Sequence, residues 1–181
     1  MTAQDAANLL IAIAGTGTSG IESAAAIVER FSGLGYRRRA DWRALINDET
    51  PAEMAKAIME RREVDLMTLP GMEGLRSDHS FRDGLTAFIE AVRQQRITFK
   101  KRDASDLARA YVSVEGQTFV RAGISISMAD GTRADAWYEP SGKRAEYSDL
   151  HWRQTFSHRT ISAVTNLLRP ADVRSAKSKA A

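Results

Sequence analysis

Residues 107–140, LARAYVSVEGQTFVRAGISISMADGTRADAWYEP, limit the fold more than any other stretch of the chain. Ile124, Ile126 and Met128 alternate with Ser125 and Ser127, and a period of two gives a strand one dry face and one wet face. Upstream, Ala110, Val112 and Val114 alternate with Arg109, Tyr111 and Ser113 in the same way. Asp130-Gly131 between alternating runs is a strong hairpin signal, because glycine takes the positive φ that a two-residue turn demands. Glu115-Gly116-Gln117 is read as the other turn, with Gly116 in that role. The third strand, from Arg133 to Tyr138, has to stop before Pro140, which has no N–H for a ladder. The stretch therefore predicts a three-strand antiparallel meander, and such a sheet needs helices against its apolar face.

The rest of the chain supplies helices. Thr2 and Asp5 have capping-box spacing ahead of a helix over 2–14, whose expected inward stripe is Ala6, Leu9, Leu10 and Ile13. A second helix is expected over 21–31, capped by Ser19, with Ile21, Ala24, Ala25, Val28 and Phe31 inward and Gly33 and Gly35 at its end. Thr50-Pro51-Ala52-Glu53 opens a third, reaching about Glu63. A connector over 64–78 carries Leu66, Met67, Leu69, Met72 and Leu75 and is expected to pack down on the core. Ser80 and Asp83 cap the most amphipathic helix, over 81–95, with Phe81, Leu85, Phe88, Ile89 and Val92 on one face. Ile97 and Phe99 alternate with polar residues and are read as an added edge strand. Residues 141–159 read as polar and irregular, with Tyr147, Leu150, Trp152 and Phe156 as anchors, before a last helix over 161–168. Residues 169–181 read as a basic tail. The expected class is α+β: about four helices, then a three- to four-strand antiparallel meander, then a C-terminal helix. The expected division is 1–78 helical, 79–170 sheet with packed helices and 171–181 tail, the whole forming one compact unit.

Composition then removes whole classes of function. In 181 residues there is no cysteine, which excludes disulfide scaffolds, thiol catalysis and cysteine-ligated zinc. The 43% hydrophobic and 27% charged residues are those of an ordinary globular core and surface. No apolar run nears the ~18–20 residues of a membrane span, and the first residues carry no basic leader, so a cytoplasmic protein is expected. His151 and His158 are separated by a spacing that suits no helical ligand pair, and no metal or cofactor is expected. Nucleophile elbows, phosphate loops of the G-x-x-x-x-G-K type and H-E-x-x-H helices are missing, and no base stands beside a nucleophile. A non-enzymatic role is expected.

Gly15-Thr-Gly17-Thr-Ser-Gly20 matches the spacing of a dinucleotide-binding loop, but that loop requires a strand before it and a βαβ unit around it. The preceding run is Ala- and Leu-rich behind a cap, so a helix–loop–helix is the better reading and nucleotide binding a third choice.

The basic residues concentrate in two places, within a net charge of +3 and a sequence pI near 9.4. Arg37, Arg38, Arg39 and Arg43 surround Trp42, and Arg96, Lys100, Lys101 and Arg102 follow the amphipathic helix. Arginine forks suit phosphates, and an aromatic among them can stack on a base. The plain alternatives are a solvated turn with Trp42 as an anchor, and lysines guarding a sheet edge. Arg133, beside the Asp130-Gly131 tip, is a candidate wing contact.

The opening segment TAQDAANLLIAIAG with ESAAAIVERFSGL, and RTISAVTNLLRP near the end, resemble small uncharacterised proteins of phages and prophages. That resemblance implies a DNA-associated regulator and carries no individual site residue. The leading expectation is thus a regulatory or accessory protein whose two basic clusters contact nucleic acid. The alternative is a protein-interaction or virion-assembly component that docks through the meander, with a homo-oligomer among the expected assemblies.

Overall fold

A computed structural model describes residues 1–16, 23–37, 50–53, 56, 62–98, 107–117, 120–141 and 151–168. Among these, four helices are delimited: α1 (Ala3–Thr16), α2 (Ala24–Ser32), α3 (Phe81–Arg93) and α4 (His158–Leu168). The strands are β1 (Gly35–Arg37), β2 (Arg62–Glu63), β3 (Leu107–Gln117), β4 (Arg121–Met128), β5 (Thr132–Glu139) and β6 (His151–Ser157). They form one six-stranded sheet in the order β1-β5-β4-β3-β6, antiparallel throughout except that the short β2 pairs in parallel with the start of β5. The class is α+β, as the sequence predicts.

The meander is present as β3-β4-β5. Its second turn is the expected one: Gly131 has φ +85, and the Asp130 carboxylate accepts from the Thr132 N–H at 2.9 Å and the Thr132 hydroxyl at 3.0 Å. The first turn is not where the sequence placed it. Glu115 to Gln117 continue β3, Glu115 pairs with Arg121, and Gly116 pairs with Trp152 of β6. A fourth long strand overrides the turn signal, because β6 offers β3 a ladder on its other edge. Residues 151–157 therefore form a strand, not an irregular segment, and α4 starts three residues before the expected Ile161. At the opposite edge, Arg62 and Glu63 are extended against Thr132 and Arg133, so the helix opened by Thr50 does not reach Glu63. The predicted helical region thus contributes β1 and β2 to the sheet.

The apolar face of the sheet carries Ala110, Val112 and Val114 of β3, Ile124 and Ile126 of β4, and Ala134, Ala136 and Tyr138 of β5, all buried. Against it lies α3. Ser80 and Asp83 form the predicted capping box, and Phe81, Leu85, Phe88, Ile89 and Val92 are all buried. Each such side chain contributes about 1.5–3 kcal/mol by leaving water. The connector also packs down, with Leu66, Leu69 and Met72 buried.

The other helices keep their predicted existence but not their predicted facing. Thr2 and Asp5 cap α1 reciprocally. Its buried stripe is Ala6, Ala7, Leu10, Ile11 and Ala14, while Leu9 and Ile13 are 47% and 59% exposed. That helix is apolar on nearly every side, so periodicity alone cannot fix its rotation. For α2 the cap is Ser23, which accepts from the Ala26 N–H, and Ile27 and Phe31 are the inward residues while Ala24 and Ala25 are exposed. Gly33 follows α2 with a negative φ, and Gly35 opens β1. Among the described residues, no helix is long and apolar enough to cross a membrane.

The expected Ser19 cap and Ile21, Phe99 of the edge strand, the anchors Tyr147 and Leu150, and the tail lie outside the described residues.

Titration of the caps gives a first prediction. Hydrogen bonds hold several carboxylates below the usual range: from the Thr2 backbone for Asp5, from the Arg93 side chain for Glu90, and from the Thr132 backbone for Asp130. For Asp83, burial pushes up, but the Ser80 hydroxyl and backbone outweigh it and the net shift is down. A lowered folded pKa contributes stability above the unfolded value and loses it as pH falls. Tyr138 is the reverse case: burial first, then the neighbouring Tyr36 and Asp83, pushes its phenol well up. Its contribution is present below the unfolded value and is lost as pH rises through the folded one. Urea midpoints should hold level from about pH 5 to 9, drop below about pH 4 and drop again above about pH 10. Tyr138→Phe should flatten the alkaline limb and leave the acid limb; an unchanged alkaline limb would show that Tyr138 ionises as freely as in the unfolded chain.

Candidate functional site

The face of the sheet turned away from α3 is built of rows fixed by register. One row runs Thr155, Ser113, Gly123, Trp137, Arg37 across β6, β3, β4, β5 and β1. The next runs Ser157, Tyr111, Ser125, Asp135. A third sets Glu115 between Arg153 and Arg121. Along strand β4 this face carries only Gly123, Ser125 and Ser127 past Arg121. Small residues in the central strand, with long ones on its neighbours, leave a depression. It measures about 250 Å³, with Ser113, Gly123 and Ser125 in its floor and Tyr111, Trp137 and Arg153 among its walls.

Two carboxylates are buried in this face and both are neutralised. Glu115 is 2% exposed; Arg121 donates to its Oε2 at 3.1 and 2.8 Å, and Arg153 meets Oε1 at 3.2 Å. Asp135, whose side chain is 6% exposed, takes a two-pronged contact from Arg133 at 2.6 and 3.2 Å. The two Glu115 pairs join neighbouring strands and so support their register, whereas Arg133 and Asp135 pair within β5. The Arg121 guanidinium also lies 4.2 Å from the centroid of the Trp137 ring. That ring reaches over Gly123, where an added Cβ would come within 3.0 Å of it and 3.1 Å of Ser113 Oγ. Glycine is thus what lets Trp137 lie down across the strand. Tyr111 remains 42% exposed at the other side of the depression.

A second polar group sits on the helical side. His79, Tyr36 and Tyr138 pack together, with the Tyr36 and His79 rings stacked at 4.7 Å. His79 Nδ1 is 2.6 Å from the Arg76 carbonyl and must donate to it, so Nε2 accepts from the Tyr138 hydroxyl at 3.0 Å. The Tyr36 hydroxyl donates to Asp65. With both imidazole nitrogens occupied, this cluster ties β1, β5 and the connector together.

Of the residues singled out from sequence, Arg133 lies on the open face and is paired with Asp135. Arg37 shares that face through its register with Trp137, and donates to the Pro140 carbonyl at 3.4 Å. Arg96 belongs to the helical layer, packed near Gly71 beyond the end of α3. The described members of the two basic stretches, Arg37 and Arg96, therefore stand on different layers. Arg38, Arg39, Trp42, Arg43, Lys100, Lys101 and Arg102 lie outside the described residues. Sequence reasoning missed Glu115, Arg121, Trp137 and Arg153. The available signal was the run of glycine and serine on the wet side of β4, where bulky polar residues are usual.

The glycine-spaced segment after α1 has no strand before it: residues up to Thr16 are helical. A Cβ on Gly15 would collide with Ile27, so this glycine permits close approach of α1 and α2. Gly17 and Gly20 lie outside the described residues.

Comparison with protein-family models, with curated proteins and with solved structures gave no match to this chain.

Proposed function

We propose that this chain is a non-enzymatic accessory or regulatory protein that contacts nucleic acid through the open face of its sheet. The observation that supports this most is the company kept there. Arg133 and Arg153 line a depression flanked by Tyr111 and Trp137, Arg121 packs on Trp137, Arg109 lies on the same face, and the carboxylates among them are already matched to arginines. Guanidinium groups that hold a carboxylate on one side still offer N–H groups on the other, and phosphates are met by such planar forks. Arg109 stands exposed on this face, in register with Ser127 and Arg133 across the strands.

The proposal is tested by anisotropy with labelled oligonucleotides across a salt series. About three phosphate contacts on a single strand give a log–log slope near −2, a loss of roughly 15-fold between 50 and 200 mM salt. Arg109→Ala should lower that slope by about 0.7 while leaving the fold intact. Binding that ignores salt, or no binding at low salt, would rule the proposal out.

A further inference from the structure

We infer that the depression on the open face takes one unpaired base, so that the surface selects single strands over duplex. This rests on the nucleic-acid reading above and makes it specific. The volume of about 250 Å³ is below the ~300–1,000 Å³ usual for whole small-molecule sites, and suits one flat ring system rather than a chain of them. Its floor is three small residues whose register is fixed: Ser113 and Gly123 directly paired, and Ser125 two residues along β4. The Trp137 ring already lies over Gly123, so a base would seat beside the indole, over the small side chains of Ser113 and Ser125.

The walls match the two faces and the edge of a base. Tyr111 gives an exposed ring on one side. On the other stands Trp137, whose ring is held by the Arg121 guanidinium packed on it, and aromatic rings stack on bases. Ser113, Ser125 and Thr155 supply hydroxyls that donate or accept, and the Asp135 carboxylate supplies an acceptor for an amino or imide N–H. Arg133 and Arg153, 39% and 51% exposed, stand beside the depression where the flanking phosphates of an extruded nucleotide would run. A duplex buries its base faces in the stack and presents only edges, so Tyr111 and Trp137 would have nothing to stack on.

The test compares three labelled probes of equal length at one salt concentration: a thymine homo-oligomer, the same backbone with abasic sites throughout, and a duplex. The thymine strand should bind about tenfold or more tightly than the other two. Ser125→Leu, which fills the floor from an exposed face, should bring thymine binding down to the abasic level and leave abasic binding unchanged. Tyr111→Ala, at an exposed ring, serves as the second variant and should cost thymine binding several-fold if the leucine variant does not fold. Equal affinity for thymine and abasic strands would overturn the base pocket while leaving phosphate contact standing. Failure of every probe to bind would remove both.

Discussion

Glu115→Ala should be the costliest single change on the open face. The carboxylate is buried, two arginines converge on it, and the three residues form one register row across β6, β3 and β4. Removing one partner of a buried pair typically costs about 3–5 kcal/mol, because the remaining charge keeps its desolvation without its counter-charge. Here Arg121 and Arg153 are partly exposed and can turn to water, so a loss of about 2–3 kcal/mol is expected. Glu115→Gln keeps the shape and one acceptor oxygen and should lose about half as much. Urea unfolding followed by circular dichroism measures both. The Arg121–Trp137 stack offers an independent reading: with Arg121 released, tryptophan emission should change in Glu115→Ala. A stability change under about 0.5 kcal/mol would mean the row behaves like a screened surface pair.

The second large effect is at Gly84, the residue that follows the capping box in the first turn of α3. Glycine there costs about 1 kcal/mol of helix propensity relative to alanine, so on local grounds Gly84→Ala should stabilise. The tertiary contact reverses the sign. An added Cβ would run into the Tyr138 hydroxyl, lie 3.1 Å from its Cζ and 3.4 Å from His79 Cδ2. Tyr138 cannot swing aside without giving up its bond to His79 Nε2. Overpacking of this kind costs about 1–3 kcal/mol, and with the broken bond the net loss should be about 2 kcal/mol. Tyr138→Phe removes the colliding oxygen and leaves His79 one partner short, at about 1–2 kcal/mol. In the double variant the alanine should cost little or should stabilise, a coupling of about 1.5 kcal/mol or more. Additive costs would show that α3 shifts freely over the sheet and that the hydroxyl does not set its distance.

These two residues also mark the boundary of what local reading can reach. The sequence places glycine in a strongly amphipathic helix but cannot name the ring it makes room for, since Tyr138 is 54 residues away in β5. Likewise Glu115 and Arg121 stand either side of a turn, but reading the turn at Gly116 breaks their pairing. Gly116 is in fact held in β3 by β6, which comes from a segment without alternating apolar residues.

What the chain determined by itself is whatever rests on near neighbours. The Thr2/Asp5 and Ser80/Asp83 caps, the Asp130-Gly131 turn, the inward stripe of α3 and the alternation through β3, β4 and β5 depend on residues a few positions apart, and all are present. Tertiary structure decided the rest: which way the evenly apolar α1 turns, where β3 ends, and which arginines meet which carboxylates. The open face belongs to that second group. A row of side chains across a sheet is assembled from strands far apart in the chain, and only hydrogen-bond register says which residues become neighbours.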